Sequence, residues 1–233
     1  DRGGRGAAGM AGLMRVALTG LALAASQPAA AEADPFVDAA RHVPGLALDM
    51  RYAGSDNFVG RPIAGYEAPR CLLTPQAARA LARVQASLAP DGLGLKVFDC
   101  YRPRQAVADF AAWARDPADT RMKAAYYPRT DKADLFRLGY IAERSSHSRG
   151  STVDLTLVRS ADGAELDMGT PFDLFDPASA TDFPGVSRIQ SRNRHRLRDA
   201  MIRAGFVPYA QEWWHFTLKG EPYPDTAFGR PVR

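Results

Sequence analysis

The sequence predicts a single α+β domain, and three observations carry that reading. Two stretches, "STVDLTL" at 151–157 and "QEWWHFTLKG" at 211–220, alternate side-chain character with the period of a strand. Two others, around 75–88 and 191–205, place apolar residues at helical spacing. The two kinds are interspersed along the chain, with a turn signal after the first strand, and that pattern suits an α+β domain.

The first 33 residues read as something other than fold. From Met10 the chain runs "MAGLMRVALTGLALAASQPAAAEADPF". Arg15 precedes an apolar run from Val16 to Ala25, and small residues cluster at 29–33. That is the layout of a secretory signal peptide, with cleavage expected after Ala31 or Ala33. The run is too short for a bilayer span, which takes about 20 residues. A buried N-terminal helix is the other reading. Residues 1–9 read as translated sequence upstream of the leader. No cysteine lies near the cleavage site, so no lipid anchor is expected. The mature chain, 34–233, is expected to be periplasmic or secreted and suits one domain with a sizeable core.

The formal charge is +4, and about +3 once Arg2, Arg5 and Arg15 leave with Asp1 and Glu32. That excess is too small to point to a nucleic-acid partner. The sequence is silent on oligomeric state. Cys71 and Cys100 have one possible pairing, permitted in an exported protein and worth roughly 3 kcal/mol. Two separate buried thiols are the alternative.

The elements follow in order. Thr74-Pro75 reads as an N-cap followed by proline at the first helical position, and Ala77, Leu81, Val84 and Leu88 share one face of the helix. "PDG" at 90–92 stops it. Leu93, Leu95 and Val97 alternate as in a half-buried strand that leads into "FDCYRP". A second helix is expected from Pro103 to about Arg115, burying Val107, Phe110 and Ala111. After "SRG", one strand face carries Val153, Leu155 and Leu157, and the other carries Thr152, Asp154 and Thr156. The "ADG" turn at 161–163 suggests a hairpin. The helix at 191–205 turns Leu197, Met201 and Ala204 inward, with Gly205 as its stop. In the last strand Trp214, Phe216 and Leu218 alternate against Trp213, His215 and Thr217.

The chain has only four histidines. If the strands holding Asp154 and His215 are neighbours, both side chains enter one cleft, and His147 reaches it from the edge. Two imidazoles and one carboxylate leave a fourth position open on a tetrahedral zinc ion, as catalysis requires. Glu212 is a candidate base for the water proton. In an ideal strand its odd separation from His215 would put it on the wrong face, so it must precede the strand or sit at a bend. Spacing alone leaves open both a metal site and a set of unrelated surface histidines.

More of the sequence bears on that choice. "SSHSRGSTVDLTL" followed by "EWWHF" resembles the two-part zinc signature of the D-alanyl-D-alanine dipeptidases, VanX-type enzymes of the DD-peptidase/Hedgehog-like metallopeptidase group. "DNFVGRPIAGYE" at 56–67, "DCYRP" at 99–103, "MGTPFD" at 168–173 and "EPYP" at 221–224 resemble that family's segments in the same order. The resemblance runs from about Leu48 to Arg233. It implies a mainly antiparallel sheet with helices packed on it, carrying one zinc ion held by His147, Asp154 and His215. Glu212 would be the catalytic base, and Arg102 would help bind substrate and steady the oxyanion, where a fixed cation lowers the barrier by several kcal/mol. A structural salt bridge is the other reading of Arg102. Tyr66 and Ser145 would touch substrate through their hydroxyls, and Asp173 would belong to a supporting network.

The implied reaction is hydrolysis of a small D,D-dipeptide in cell-wall peptide turnover. A D,D-carboxypeptidase trimming stem peptides is an alternative, as is a zinc-stabilised binding module without catalysis, against which Glu212 and Arg102 argue. Two positions depart from the family pattern: Cys100 stands where a small residue is usual, and Thr152 where alanine is common. His42 reads as a surface residue. His195, among Arg188, Arg192, Arg194, Arg196 and Arg198, reads as part of a solvated face. Trp213 and Trp214 read as half core, half pocket wall.

Overall fold

The structure, a computed structural model, describes residues 3, 4 and 34–233, so the expected leader lies outside the described residues. From Asp34 onwards the strands are β1 (Val37–Asp38), β2 (Ala47–Leu48), β3 (Leu72–Leu73), β4 (Leu93–Asp99), β5 (Thr152–Arg159), β6 (Phe206–Pro208) and β7 (His215–Leu218). The helices are α1 (Pro75–Leu88), α2 (Arg104–Arg115), the short α3 (Lys123–Tyr126) and α4 (Arg188–Arg203). β1 and β3 form a separate antiparallel pair. The main sheet has the order β2-β4-β5-β7-β6, with only β2 and β4 parallel. The α+β class and the mainly antiparallel sheet both hold.

β4 and β5 are interior strands of that sheet, and the burial of β4 departs from the half-buried expectation. In β4 every residue but Lys96 is buried, and β5 is buried from Thr152 to Val158. A strand flanked on both edges and covered on both faces has no wet side. The polar set of β5 is therefore shielded from bulk water, and Thr152 meets its partner Thr217 through their hydroxyls at 2.9 Å. After the "ADG" turn the chain does fold back, with Leu166 donating to the Leu157 carbonyl at 2.9 Å. It forms only an isolated bridge there, Val158 to Glu165, in place of the expected hairpin strand.

α1 begins as its sequence predicts, with the Thr74 hydroxyl accepting from Ala77 N–H at 3.3 Å and Pro75 in the first position. Gly92, at φ +68°, lets the chain leave toward β4. α1 packs on α4, and the two lie against β4 and β5 respectively. α4 starts three residues earlier than its apolar pattern suggests, because Ser187 and Gln190 close a capping box at 3.3 and 2.8 Å.

Arg194 is a correction within that helix. It is fully buried, not part of a solvated face. Its guanidinium donates to the carbonyls of Met168 and Ala180, both at 2.6 Å, so a cation satisfies loop backbone that no strand pairs. Burial pulls its pKa down to about 10, which leaves it charged at neutral pH. His195 does lie at the surface, 2.7 Å from Asp182, and His42 makes a local contact with the Asp38 carbonyl.

Two cross-links hold the sheet's ends. Cys71 and Cys100 are bonded, with their Cα atoms 5.2 Å apart, which decides the alternative left open by sequence. The C-terminal tail doubles back across the domain. Phe228 N–H donates to the Ser148 carbonyl at 2.9 Å and its own carbonyl accepts from Arg104 N–H at 3.1 Å. Val232, fully buried, pairs with the 65–67 segment through Glu67 N–H at 2.9 Å and Gly65 O at 2.8 Å. Among the described residues no helix is long and apolar enough to cross a membrane.

Arg194→Ala strands two buried carbonyls, each worth about 1–3 kcal/mol when unpaired. Urea denaturation is expected to show a loss of about 2–4 kcal/mol. A loss under 1 kcal/mol would mean that the loop finds other donors.

Candidate metal centre

The site is built on sheet register. In the β5–β7 pair Asp154 stands directly opposite His215, and in the β4–β5 pair it stands opposite Asp99, beyond a bulge after Val97. Opposite residues of antiparallel strands project to the same face. Asp99, Asp154 and His215 thus form a row across three strands.

His147 enters from a one-turn 3-10 segment, Ser146–Arg149, immediately before β5. The Ser145 hydroxyl accepts from His147 N–H at 3.3 Å and caps that turn. Gly150 closes it at φ +77°, where a Cβ would collide with the Phe36 ring. Glu212 resolves its spacing problem by standing outside the strand. β7 starts only at His215, whose N–H donates back to the Glu212 carbonyl at 3.2 Å. That turn brings the Glu212 carboxylate to 3.7 Å from His215 Nδ1.

The three expected ligand atoms converge. His147 Nε2 lies 3.2 Å from an Asp154 oxygen and 3.3 Å from His215 Nδ1, and His215 Nδ1 lies 3.0 Å from the other Asp154 oxygen. A tetrahedral ion with bonds of about 2.0–2.1 Å holds its ligand atoms roughly 3.3 Å apart. An outer partner sets the tautomer of His147. His147 Nδ1 gives its hydrogen to the Cys100 carbonyl at 2.7 Å, leaving Nε2 as a lone pair facing the cluster. His215 turns Nε2 toward the Ser146 hydroxyl at 3.3 Å, leaving Nδ1 on the same side as the others. Asp154 Oδ1 is buried and makes no regular hydrogen bond, with His215 Nδ1 3.0 Å away. Lone pairs crowded against an unsatisfied carboxylate oxygen fit a shared cation.

Electrostatics agrees. Burial would raise Asp154, but the two imidazoles outweigh it and hold its carboxyl well below the usual range. Burial works against charge on His215, and the Asp154 and Glu212 carboxylates overcome it and raise its pKa. Burial, with Asp154 adding to it, pushes Glu212 up to about 7 against the pull of His215 and Arg102. The centre has more negative than positive charge to place.

The cluster opens on a cavity of about 270 Å³, just under the roughly 300–1,000 Å³ of drug-sized pockets. Arg102, Ser145, Asp173 and Glu212 line it with the three ligand residues, and Trp214, Phe175 and Tyr140 supply apolar wall. None of the lining comes from α1 or α4. Arg102 makes the salt bridge of one reading and stands on the cavity wall, where the other would need it. Its guanidinium is anchored on buried Asp99 at 2.9 and 3.0 Å, yet remains on the cavity wall, stacked over Tyr52 and Phe110.

Tyr66 is a correction. It is buried away from the cavity and donates its hydroxyl to Asp99 at 2.6 Å, so it props the carboxylate behind Arg102 and presents nothing to a substrate. The tyrosine that does reach the wall is Tyr52, whose hydroxyl donates to Asp173 at 2.7 Å. Sequence reasoning missed Tyr52 and Asp99 as site residues and gave Asp173 only a supporting place. Asp173 is the one non-glycine residue at positive φ, +60°, among the described residues, and no cation pairs with it. Burial and the nearby Asp154 raise it well above the usual carboxylate range. Nothing in the pattern of "MGTPFD" signals that conformation. Asp99 could have been found from its i,i+3 spacing to Arg102.

The chain has relatives of known description. A family model described as D-ala-D-ala dipeptidase, peptidase M15, matches residues 32–233. A D-alanyl-D-alanine dipeptidase of Streptomyces coelicolor is 46% identical over 197 residues, covering 84% of this chain and 96% of that protein. One of Enterococcus faecium is 42% identical over 198 residues, covering 85% and 97%. One of Escherichia coli is 36% identical over 193 residues, covering 81% and 88%. Among solved structures, a vancomycin-resistance D,D-pentapeptidase in complex with Zn(II) aligns at 15% identity and TM-score 0.39, over 64% of this chain and 74% of that one, too distant to carry an argument.

Tyr66→Phe leaves one Asp99 oxygen without its donor. It is expected to lower stability by about 1–3 kcal/mol in urea denaturation while leaving KM within about twofold. A large rise in KM at unchanged stability would put Tyr66 back on the substrate.

Proposed function

This chain belongs to the peptidase M15 family of D-ala-D-ala dipeptidases, and we propose that it hydrolyses D-alanyl-D-alanine at a single zinc site held by His147, Asp154 and His215. The observation that carries the reading is the convergence of these three donors, all within 4.8 Å of one another, on a small cavity that also holds Glu212 and Arg102. Zinc bound there would act as a Lewis acid and bring the pKa of water toward ~7.

The chain's own residues do the rest. Glu212, whose carboxylate lies 3.7 Å from His215 Nδ1 on the cavity wall, takes a proton from the attacking water and passes it to the leaving amine. Arg102, fixed on Asp99, keeps its charge directed at the cavity where the scissile oxygen becomes negative. Asp173 lacks a cation of its own and, with Tyr52 bonded to it, offers a seat for the dipeptide ammonium. Ser145 accepts from His147 N–H, so its own O–H remains to donate to the dipeptide carboxylate, beside the exposed Arg144. Both charged ends of a free dipeptide then have partners. The small cavity favours that substrate over a long stem peptide.

Export is part of the proposal. The leader-like sequence at 10–33 supports it, and so does a disulfide of the kind that persists in oxidising compartments. In that setting the enzyme would act in cell-wall peptide turnover outside the cytosol.

Metal analysis with a hydrolysis assay tests the chemistry. Chelation is expected to abolish D-Ala-D-Ala cleavage and one equivalent of zinc to restore it, with a pentapeptide cut far more slowly. Glu212→Gln should keep zinc yet lose about 10²–10⁴ in kcat. Full activity after chelation, or in that variant, overturns the assignment. Mass spectrometry of the exported protein is expected to find an N-terminus at Glu32 or Asp34, and an intact leader on cytosolic protein would reverse the localisation.

A further inference from the structure

The Cys71–Cys100 bridge lies where it can do more than tie two segments together. Cys100 follows Asp99, the last residue of β4, and precedes the Tyr101-Arg102 pair that enters the cavity wall. Its carbonyl is the acceptor that orients the His147 ring, at 2.7 Å. Asp99, one residue before it, lies 3.4 Å from the same His147 nitrogen and anchors Arg102. One peptide segment therefore aims an imidazole and a guanidinium into the site. Three links tie that segment to the neighbourhood of the β1–β3 pair: Tyr101 N–H donating to the Leu72 carbonyl at 2.9 Å, the Tyr101 ring stacked on Phe36 at 4.4 Å, and the disulfide to Cys71; Arg102 N–H also donates to the His147 carbonyl at 3.3 Å. On the far side, Cys71 is itself fixed, its carbonyl accepting from Ala39 N–H at 2.8 Å.

We propose that the Cys71–Cys100 disulfide is a positioning element of the metal centre: it holds the Cys100 carbonyl that sets the ring of His147. Both cysteines are fully buried in packed surroundings. Two thiols cannot approach as closely as two bonded sulfurs, and a close-packed interior takes up the difference by moving backbone. The backbone nearest to hand is the Cys100 peptide. A shift there lengthens the bond to His147 Nδ1, frees the ring to turn and weakens its grip through Nε2. Loss of an outer partner of this kind costs about 10–100-fold in metal affinity.

The inference rests on the reading of His147 as a zinc ligand, and the experiment separates the two. Zinc affinity is measured by competition with a chromophoric chelator, with near-UV circular dichroism recording the fold. Three proteins are compared: the oxidised wild type, Cys71→Ala/Cys100→Ala, and wild type refolded in a phosphine. In the last, the phosphine gives two electrons to the S–S bond and becomes its oxide with oxygen from water, whose two protons complete the thiols. Both bridge-less forms are expected to be folded and to hold zinc at least 10-fold more weakly, with kcat at limiting zinc falling in parallel and KM within twofold. Reoxidising the refolded protein should restore the affinity. Competition curves that superimpose on the wild type, whatever happens to Tm, overturn the proposal. So does failure of both forms to fold even in excess zinc, because the bridge is then a global staple. Oxidised wild type that binds no zinc defeats instead the metal reading on which this stands.

Discussion

Everything at this site depends on one register. Side chains in a strand alternate with a period of two, so a slip of one residue between β5 and β7 would turn Asp154 and His215 to opposite faces. The register is held from the sides: Thr152 pairs with Thr217, and Val153 with Phe216, in the same ladder. Leu155 N–H reaches back to the Trp214 carbonyl at 3.1 Å, just before β7 begins. Beyond β5, the bulge after Val97 brings Asp99 into line with Asp154. The apolar faces of these strands thus do chemical work at a distance, because burying them fixes which polar atoms meet.

The second theme is charge confined without water. Asp99, Asp154, Asp173 and Glu212 lie close together around the half-buried guanidinium of Arg102. The fold manages this in two ways. It gives some groups partners, as with Asp99 between the Tyr66 hydroxyl and Arg102, although burial still raises that carboxyl. It leaves other groups hungry, with Glu212 and Asp173 both raised by burial and Asp154 Oδ1 unbonded. Unmet needs of this kind are costly in a core and useful in a cavity, where a divalent ion and a zwitterionic ligand can meet them.

What was legible in the sequence was local. The cap and proline of α1, the glycine that ends α4 and the alternation of β5 are short-range signals, and the structure follows them. Long-range facts were not legible from pattern. The distance from Asp154 to His215 is 61 residues, and nothing in periodicity says that their strands pair; the ordered motifs of a family supplied that. The cysteine bridge was left undecided for the same reason. Arg194 was misread because amphipathic reasoning sends arginine to water, whereas here a loop's unpaired carbonyls draw it inside. Tyr66 was misplaced because a hydroxyl near a motif says nothing of which way it points. β1 and β3, two residues each, are too short to show any period.

The tail has a consequence of its own. Residues 228–232 bond to the 65–67 segment, to the entry of α2 and to the turn that carries His147. The Ser148 carbonyl that Phe228 N–H engages lies one residue from His147, so whatever loosens the tail also loosens the turn that aims that imidazole. Clipping by a protease before Phe228 would therefore reach the cavity without touching any residue that lines it.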